Sequence, residues 1–355
     1  MRETETGAAL EALEQRTGLS TRLWSRAFAG LTAVTFRERG EEAVHRLWYD
    51  VLCGHQVGHY REGLAKLGIG DDPPAVAAAK YHYFTNLIGG LDMEYVEESP
   101  RKVWIRYLAP MWTYEGVAMM AMPGRLRRTI FSAWHPRNGE LMGCPRLGYV
   151  GTKFIMEGDP YDEGYFIEHD RDLAPSEVMR FEHAEHTPEF DPARAPRLDP
   201  ALWPPARLAR ARRNFSAGYV RTTVEMLLRS HGAETTWHIV RQTARMLGVQ
   251  LAHDLANRVG VERHDLPGAA HLLASVLDAC EQRHRVEELG PTTWRFVLES
   301  YRPFADDAPP GLREAWFHLP AMLVRVLNGR LRLSREPLGP TAEAWVLEDA
   351  GRWLY

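Results

Sequence analysis

A similarity between two distant parts of the sequence, which we call an echo, constrains the fold of this chain more than any other feature. Residues 40–68 resemble residues 232–260 at a constant offset of 192, and both stretches run from one glycine to another through helically spaced apolar residues. Two shorter echoes follow in the same order, pairing 96–104 with 286–294 and 122–128 with 319–325. Three collinear matches with slightly drifting offsets predict a tandem duplication.

Within the first copy, the residue pattern changes from helical to strand-like spacing in a definite order. Prolines and glycines separate the segments, as is typical of element boundaries. The predicted elements are helices over 40–66 and 75–88, strands over 93–98 and 102–108, a helix over 123–134, and strands over 148–156 and 164–169. The sequence therefore predicts an α+β fold, a duplicated helix–helix–strand pair–helix–strand pair unit whose copies pack as a pseudo-dimer.

Proline content sets the expected domain boundaries. Seven prolines fall within residues 172–206, which excludes a regular helix or a central strand there. We expect a first unit at 1–171, which retains the pocket, a proline-rich linker at 172–212, and a second, degenerate unit at 213–355. A cleft between two such units is a preferred place for a ligand.

Composition and charge exclude several classes of protein. The formal net charge is -4, without the basic excess typical of nucleic-acid binding, and no stretch approaches the roughly 18–20 apolar residues that cross a bilayer. The amino terminus lacks the apolar core of a secretory signal, and three scattered cysteines favour a reducing compartment. We expect a cytoplasmic protein with a small-molecule partner, without nucleic-acid or membrane partners, and leave a homodimer open. Nucleotide-binding, zinc-protease and serine-hydrolase motifs are missing from the sequence, and no cofactor is assigned.

Short sequence pieces in the first copy carry a resemblance to a known family. The pieces are Gly40-Glu41-Glu42, Val96–Ser99 leading into Trp104–Arg106, and Thr152–Ile155 followed by Gly158–Tyr161. In these pieces the chain resembles the L-2-amino-thiazoline-4-carboxylate hydrolase-like family and, more distantly, the small-molecule-binding domain named after 4-vinyl reductase. The resemblance implies an α+β fold and hydrolysis of a C–N or C–S bond. Related chains tend to carry a cysteine just after the Gly-Asp turn, where this chain has Asp162-Glu163-Gly164.

The predicted pocket lies in segment 104–152 of the first copy. This segment mixes tryptophans, tyrosines and methionines with arginines, a histidine and a cysteine, a composition typical of ligand pockets. The alternative is a Trp- and Met-rich core. Within the segment, the proline- and glycine-rich stretch 134–146 is expected to be an exposed loop, which the second copy replaces with the shorter stretch 328–332.

Each candidate site residue has a role in the resulting hydrolase hypothesis. His135 would transfer protons, with Cys144 as nucleophile or Glu115 assisting. Arg106 and Arg146 would hold a substrate carboxylate, because a planar guanidinium can bind both carboxylate oxygens. The other substrate-binding candidates are His82, Trp112, Trp134 and Asn138.

Two other classes of function stay open. A non-catalytic binding or sensor protein would use the aromatic side chains of the same pocket, and its titratable groups would be dispensable. A metal or haem protein would use one of the histidine clusters, such as His55 and His59, which are four residues apart. The sequence thus predicts a hydrolase-like enzyme for a small carboxylate-bearing molecule, with these two alternatives.

Overall fold

A computed structural model describes residues 7–109, 121–184 and 186–355 of the chain. Their contacts divide the chain into unit I, which is Thr35–Phe215, and unit II, which combines the residues up to Val34 with Ser216–Tyr355. The boundaries expected at residues 171 and 212 divide the chain in sequence order. They do not predict that the amino-terminal segment is grouped with the carboxy-terminal part of the chain. Each unit has its own sheet and its own helices, which confirms the predicted α+β class.

Unit I follows the predicted order of elements. Its strands form one sheet in the order β1-β2-β4-β3-β5, antiparallel except that β5 pairs in parallel with β3. The first helix of the chain, α1 (Gly7–Arg39), ends just inside this unit. The elements that follow are α2 (Glu41–Leu67), α3 (Pro74–Gly89), β1 (Met93–Ser99), β2 (Lys102–Tyr107), α4 (Leu126–Trp134), α5 (Arg137–Met142), β3 (Leu147–Lys153), β4 (Asp162–Glu168) and β5 (Met179–Phe181).

Unit II repeats this order in its carboxy-terminal part. Its long helix α6 (Pro205–Arg258) begins at the end of unit I and is interrupted at Gly232. The elements that follow are α7 (Leu266–Ala279), β6 (His284–Gly290), β7 (Thr293–Leu298), α8 (Pro310–Leu327), β8 (Leu331–Pro337) and β9 (Glu343–Asp349). The sheet order is β6-β7-β9-β8, antiparallel throughout, which matches β1-β2-β4-β3 of unit I.

Backbone geometry at four glycines places the two units in register. Gly40 (φ 82, ψ -176) and Gly232 (φ 74, ψ 176) share one non-helical conformation before the long helices. Gly68 and Gly260 end those helices with φ values of 71 and 72, in the left-handed region that glycine adopts without steric cost. The helices and strands β1 to β4 of unit I therefore have counterparts in unit II, whereas β5 has none among the described residues. The duplication that would explain this correspondence stays a prediction.

Strand pairing corrects two of the predicted sequence echoes. Ser99 pairs with Lys102 after the bulge in the first hairpin, as Gly290 pairs with Thr293, which sets the offset there at 191. The predicted offset of 190 is wrong by one residue, an error that would turn every side chain to the other face of the sheet. Pro136 precedes the start of β3 by as many residues as Pro320 precedes the start of β8, so these two prolines correspond. The predicted counterpart of Pro320, the proline at 123, is therefore wrong.

The predicted exposed loop at 134–146 is wrong, because helix α5 occupies its centre. This helix begins after Pro136 and ends at Gly143, whose φ is 75. Gly139 lies on its buried side, where an added Cβ would be 2.7 Å from the carbonyl oxygen of Cys144. The glycines and prolines thus permit a close approach of α5 to β3, and they bury His135 and Asn138 instead of exposing them.

Candidate functional site

The sheet of unit I separates the predicted site residues into two groups, because side chains alternate between the faces of a strand. Tyr107, Tyr149 and Phe166 lie on the face that packs against the helices. Arg106 and Glu163, which are paired across β2 and β4, lie on the opposite face. The arginine and the histidines therefore belong to two different places.

A stack of buried rings forms the centre of the helix-facing group. His82 on α3 and His135 at the end of α4 lie parallel, with ring centroids 4.5 Å apart and planes 20° apart. The ring of Tyr149 lies 4.0 Å beyond His135 at 24°, and the ring of Trp134 meets His82 edge-on at 4.6 Å. Both histidines are buried, with 0% of His82 and 1% of His135 exposed to solvent.

A chain of hydrogen bonds fixes the proton positions in this group. The carbonyl oxygen of Trp134 can only accept, so the atom of Gln56 that lies 2.9 Å away is its Nε2 donor. The same Nε2 donates to Asn138 Oδ1 at 2.5 Å, and Asn138 Nδ2 donates to His82 Nε2 at 2.7 Å. In neutral His82 the proton is therefore on Nδ1.

His135 has the same tautomer for a similar reason. Its Nδ1 lies 3.3 Å from the carbonyl oxygen of Phe131, which must accept, and its Nε2 accepts from the hydroxyl of Tyr107 at 2.9 Å. We call Gln56, His82, Tyr107, His135, Asn138 and Tyr149 the imidazole cluster.

Three buried polar atoms of the imidazole cluster have no hydrogen-bond partner among the described residues, and we call them the open atoms. The open atoms are His82 Nδ1, the Tyr149 hydroxyl oxygen and Gln56 Oε1. Buried polar atoms are paired in the great majority of cases, so each open atom requires an explanation.

Burial keeps the imidazole cluster uncharged. It lowers the pKa of His82 to about 3, against the weaker opposing effect of the Asn138 hydrogen bond. It also lowers the pKa of His135 well below its usual value, with a further contribution from His82, and raises the pKa of Tyr149 well above its usual value. At neutral pH the cluster offers flat rings and neutral hydrogen-bonding groups, but no charge.

Unit II has apolar residues or glycine at all six places of the imidazole cluster. Strand pairing places Leu298 and Leu333 where unit I has tyrosines, and both leucines belong to the apolar core of unit II. The counterparts of Gln56, His82, Tyr107, His135, Asn138 and Tyr149 are Gly248, Leu273, Leu298, Leu319, Met322 and Leu333, respectively, with Leu273 set by the matching backbone hydrogen bonds that close the two helices. The contact of Gln56 with Asn138 also has its counterpart, because Gly248 lies directly against Met322.

A glycine in β4 provides the space for the Tyr149 side chain. A Cβ added at Gly164 would lie 2.3 Å from the Tyr149 hydroxyl and 2.4 Å from the carbonyl oxygen of Val150. Unit II carries Trp345 at the same register position, within its apolar core. The two units thus fill the same volume, one with hydrogen-bonding rings and the other with an indole.

Gln56 and Gly164 were not among the residues predicted for the site, and Tyr107 and Tyr149 were included only among the aromatic residues of the pocket segment 104–152. The signal that identifies them is the contrast between the two copies, residue by residue. That contrast becomes visible only at the offsets that strand pairing sets.

The chain itself satisfies Arg106 on the opposite face of the sheet. Its guanidinium donates to Glu163 at 2.6 Å, to Glu94 at 2.7 Å and to the carbonyl oxygen of Pro188. Arg106 and Glu163 are buried. This arginine fixes the proline-rich segment to the sheet, and its two carboxylate partners occupy the place that a substrate carboxylate would need.

The remaining predicted site residues lie outside the imidazole cluster. Arg146 is exposed before β3 and pairs with Glu168 at 2.6 Å, and Cys144 is a buried free thiol. Trp112 and Glu115 lie outside the described residues. The structure thus brings His82, Trp134, His135 and Asn138 together and leaves Arg106 on the other face.

Metal-ligand geometry and helix hydrophobicity concern the remaining classes of function. Among residues 7–109, 121–184 and 186–355, no three His, Cys, Asp or Glu side chains are placed to hold a metal ion. In the same part of the chain, no helix is both long and apolar enough to cross a membrane.

An open depression at the start of α2 is lined by Glu41, Glu42, His45, Arg46, Tyr49, Asp50 and Thr129. The rings of His55 and His59 lie 5.3 Å apart, near the ring of Phe215.

Comparison with known proteins gives no neighbour for these features. The resemblance to the thiazoline-carboxylate hydrolases therefore stays a prediction from short sequence pieces. No family model, no curated protein and no solved structure matches this chain.

Proposed function

We propose that unit I binds a small molecule at the imidazole cluster and that unit II is a scaffold with an apolar core at the same place. The observation that carries this proposal is the replacement of six buried polar residues by apolar residues or glycine at equivalent positions. It corresponds to the binding-protein alternative of the sequence analysis rather than to hydrolysis.

The energetics of burial support a role other than stability. A buried polar atom without a partner costs about 1–3 kcal/mol, whereas exchanging a complete polar pair for apolar groups of similar shape is nearly neutral. Unit II forms the same order of elements with apolar residues at these positions. The polar residues in unit I therefore lower the stability of the ligand-free fold through the open atoms. A bound molecule would offset this loss by forming hydrogen bonds with them.

The charge distribution favours binding over hydrolysis. Hydrolysis with His135 as proton acceptor needs an imidazole that can become charged, and burial opposes that charge. The expected carboxylate clamp needs Arg106 at the pocket, whereas Arg106 pairs with Glu163 on the opposite face. A binding site needs neither a charged imidazole nor this arginine.

The test compares the small-molecule content of three purified proteins by mass spectrometry after denaturation. One is the wild-type chain, and another carries His82→Leu, His135→Leu and Asn138→Met, the residues at the corresponding places of unit II. The control variant, Thr243→Val, makes a buried polar residue of unit II apolar. We expect one compound to be released by the wild-type and control proteins and to be missing from the triple variant, whose circular dichroism spectrum remains that of a folded protein.

Two outcomes contradict the proposed function. One is equal small-molecule content in all three proteins, including the case in which none releases a compound. The other is a triple variant that loses its folded spectrum, because the cluster would then be required for stability in unit I.

A further inference from the structure

The open atoms define which hydrogen-bonding groups a bound molecule must present. His82 Nδ1 carries the proton, because Asn138 donates to the other ring nitrogen. Its environment is fixed by the ring stack with His135 and by the Asn138 bond, so the N–H direction is preset. The molecule must therefore place an acceptor, such as a carbonyl oxygen or a ring nitrogen, at His82 Nδ1.

The charges around the imidazole cluster disfavour an anion. The cation that acts on His135 is Arg127, and its guanidinium pairs with buried Asp162 at 2.5 Å. This pair is neutral as a unit, and both side chains are buried. A carboxylate entering here would lose its hydration and would find a cation already neutralised by its own partner, which is unfavourable.

The shapes of the side chains favour a flat molecule. The rings of His135 and Phe166 lie against His82 at 20° and 22°, the ring of Tyr149 lies against His135 at 24°, and Trp134 contributes an edge. Aromatic faces pack best against other planar groups. We infer that the molecule bound by unit I is an uncharged planar compound whose carbonyl oxygen or ring nitrogen accepts from His82 Nδ1, and not a carboxylate; this inference rests on the proposed function.

Matched pairs of small probes test this chemistry. The neutral probes are benzamide, nicotinamide and indole-3-carboxamide, and their anionic partners are benzoate, nicotinate and indole-3-carboxylate. The full chain is labelled with ¹⁵N at histidine, and long-range ¹H–¹⁵N spectra report which ring nitrogen is protonated and how its signal moves during titration. We expect at least one amide to shift the His82 Nδ1 signal, with weaker binding of the corresponding acid.

Variants identify the contact. His82→Ala, which removes the imidazole, should weaken amide binding roughly tenfold, the loss expected for one buried hydrogen bond. If this variant fails to fold, Asn138→Met replaces it, because it removes the bond that fixes the His82 tautomer and should lower the amide preference.

The outcomes separate this inference from the proposed function. Tighter binding of the acids, at a site whose signals include His82, overturns the inference about ligand chemistry and leaves a binding site in place. If none of the six probes moves a His82 or His135 signal, and the wild-type protein releases no compound on denaturation, the proposed function and the inference both fail.

Discussion

The hydroxyl group of Tyr149 gives the sharpest test of whether the imidazole cluster is built for stability. This side chain is 1% exposed, and its hydroxyl has no partner among the described residues. An unpartnered buried polar group costs about 1–3 kcal/mol. Tyr149→Phe removes only that hydroxyl, so we expect it to stabilise the ligand-free chain by about 1 kcal/mol or more, which raises Tm by roughly 2–4 °C per kcal/mol for a unit of this size.

Two other tyrosines provide matched controls for Tyr149→Phe in differential scanning calorimetry. The hydroxyl of Tyr107 donates to His135, and that of Tyr301 in unit II donates to the carbonyl oxygen of Arg313 at 3.1 Å. Tyr107→Phe should lower stability by about 1–3 kcal/mol, because it leaves the buried Nε2 of His135 unpaired, and Tyr301→Phe by about 0.5–1.5 kcal/mol, because it removes one buried hydrogen bond. A Tyr149→Phe variant destabilised as much as these controls would refute the reasoning, since its hydroxyl would then have a stabilising partner.

Three further predictions concern packing, the buried ion pair and pH. Gly164→Ala should destabilise the chain by about 1–3 kcal/mol in thermal denaturation, and Tyr149→Phe should not restore it fully because a backbone clash remains. Arg127→Met should cost about 3–5 kcal/mol in urea unfolding by leaving Asp162 buried without its partner, and adding Asp162→Asn should recover much of the loss. Because burial lowers the pKa of His82 to about 3, only the unfolded state binds its proton between there and about pH 6.5. Stability should therefore fall with decreasing pH in this window by up to about 1.4 kcal/mol per pH unit, a slope that His82→Ala should reduce.

Local signals in the sequence predicted much of the fold. Apolar spacing and the glycines at 40 and 68 set the bounds of α2, and the proline at 74 marked the start of α3. The correspondence of the copies was predicted in outline but not in register. The bulges of the two first hairpins lie at equivalent positions, so the offset of 191 follows from strand pairing, which matching of sequence letters does not detect.

The candidate site was predicted in part. His82, Trp134, His135 and Asn138 were all expected at one place, and they converge. The prediction that Arg106 lies in the same pocket as Tyr107 could have been rejected from the sequence alone. Arg106 is next to Tyr107 on a predicted strand, so the two side chains must lie on opposite faces of the sheet.

Tertiary contacts account for what the sequence did not predict. Gln56 reaches the site from a helix that begins far from Asn138 in the chain, and only the packing of α2 against α5 brings them together. The stretch around Gly139 was expected to be a loop because glycine and proline are typical of loops. In the structure this glycine permits a close approach of backbones instead.

The most direct test of the central claim is an experimental electron-density map of the full chain, purified without added ligands, at the imidazole cluster. The account predicts density for a planar non-protein molecule with an acceptor atom within hydrogen-bond distance of His82 Nδ1. Density for protein alone, with the His82 and His135 rings packed as a dry core and Nδ1 facing apolar atoms, would contradict it.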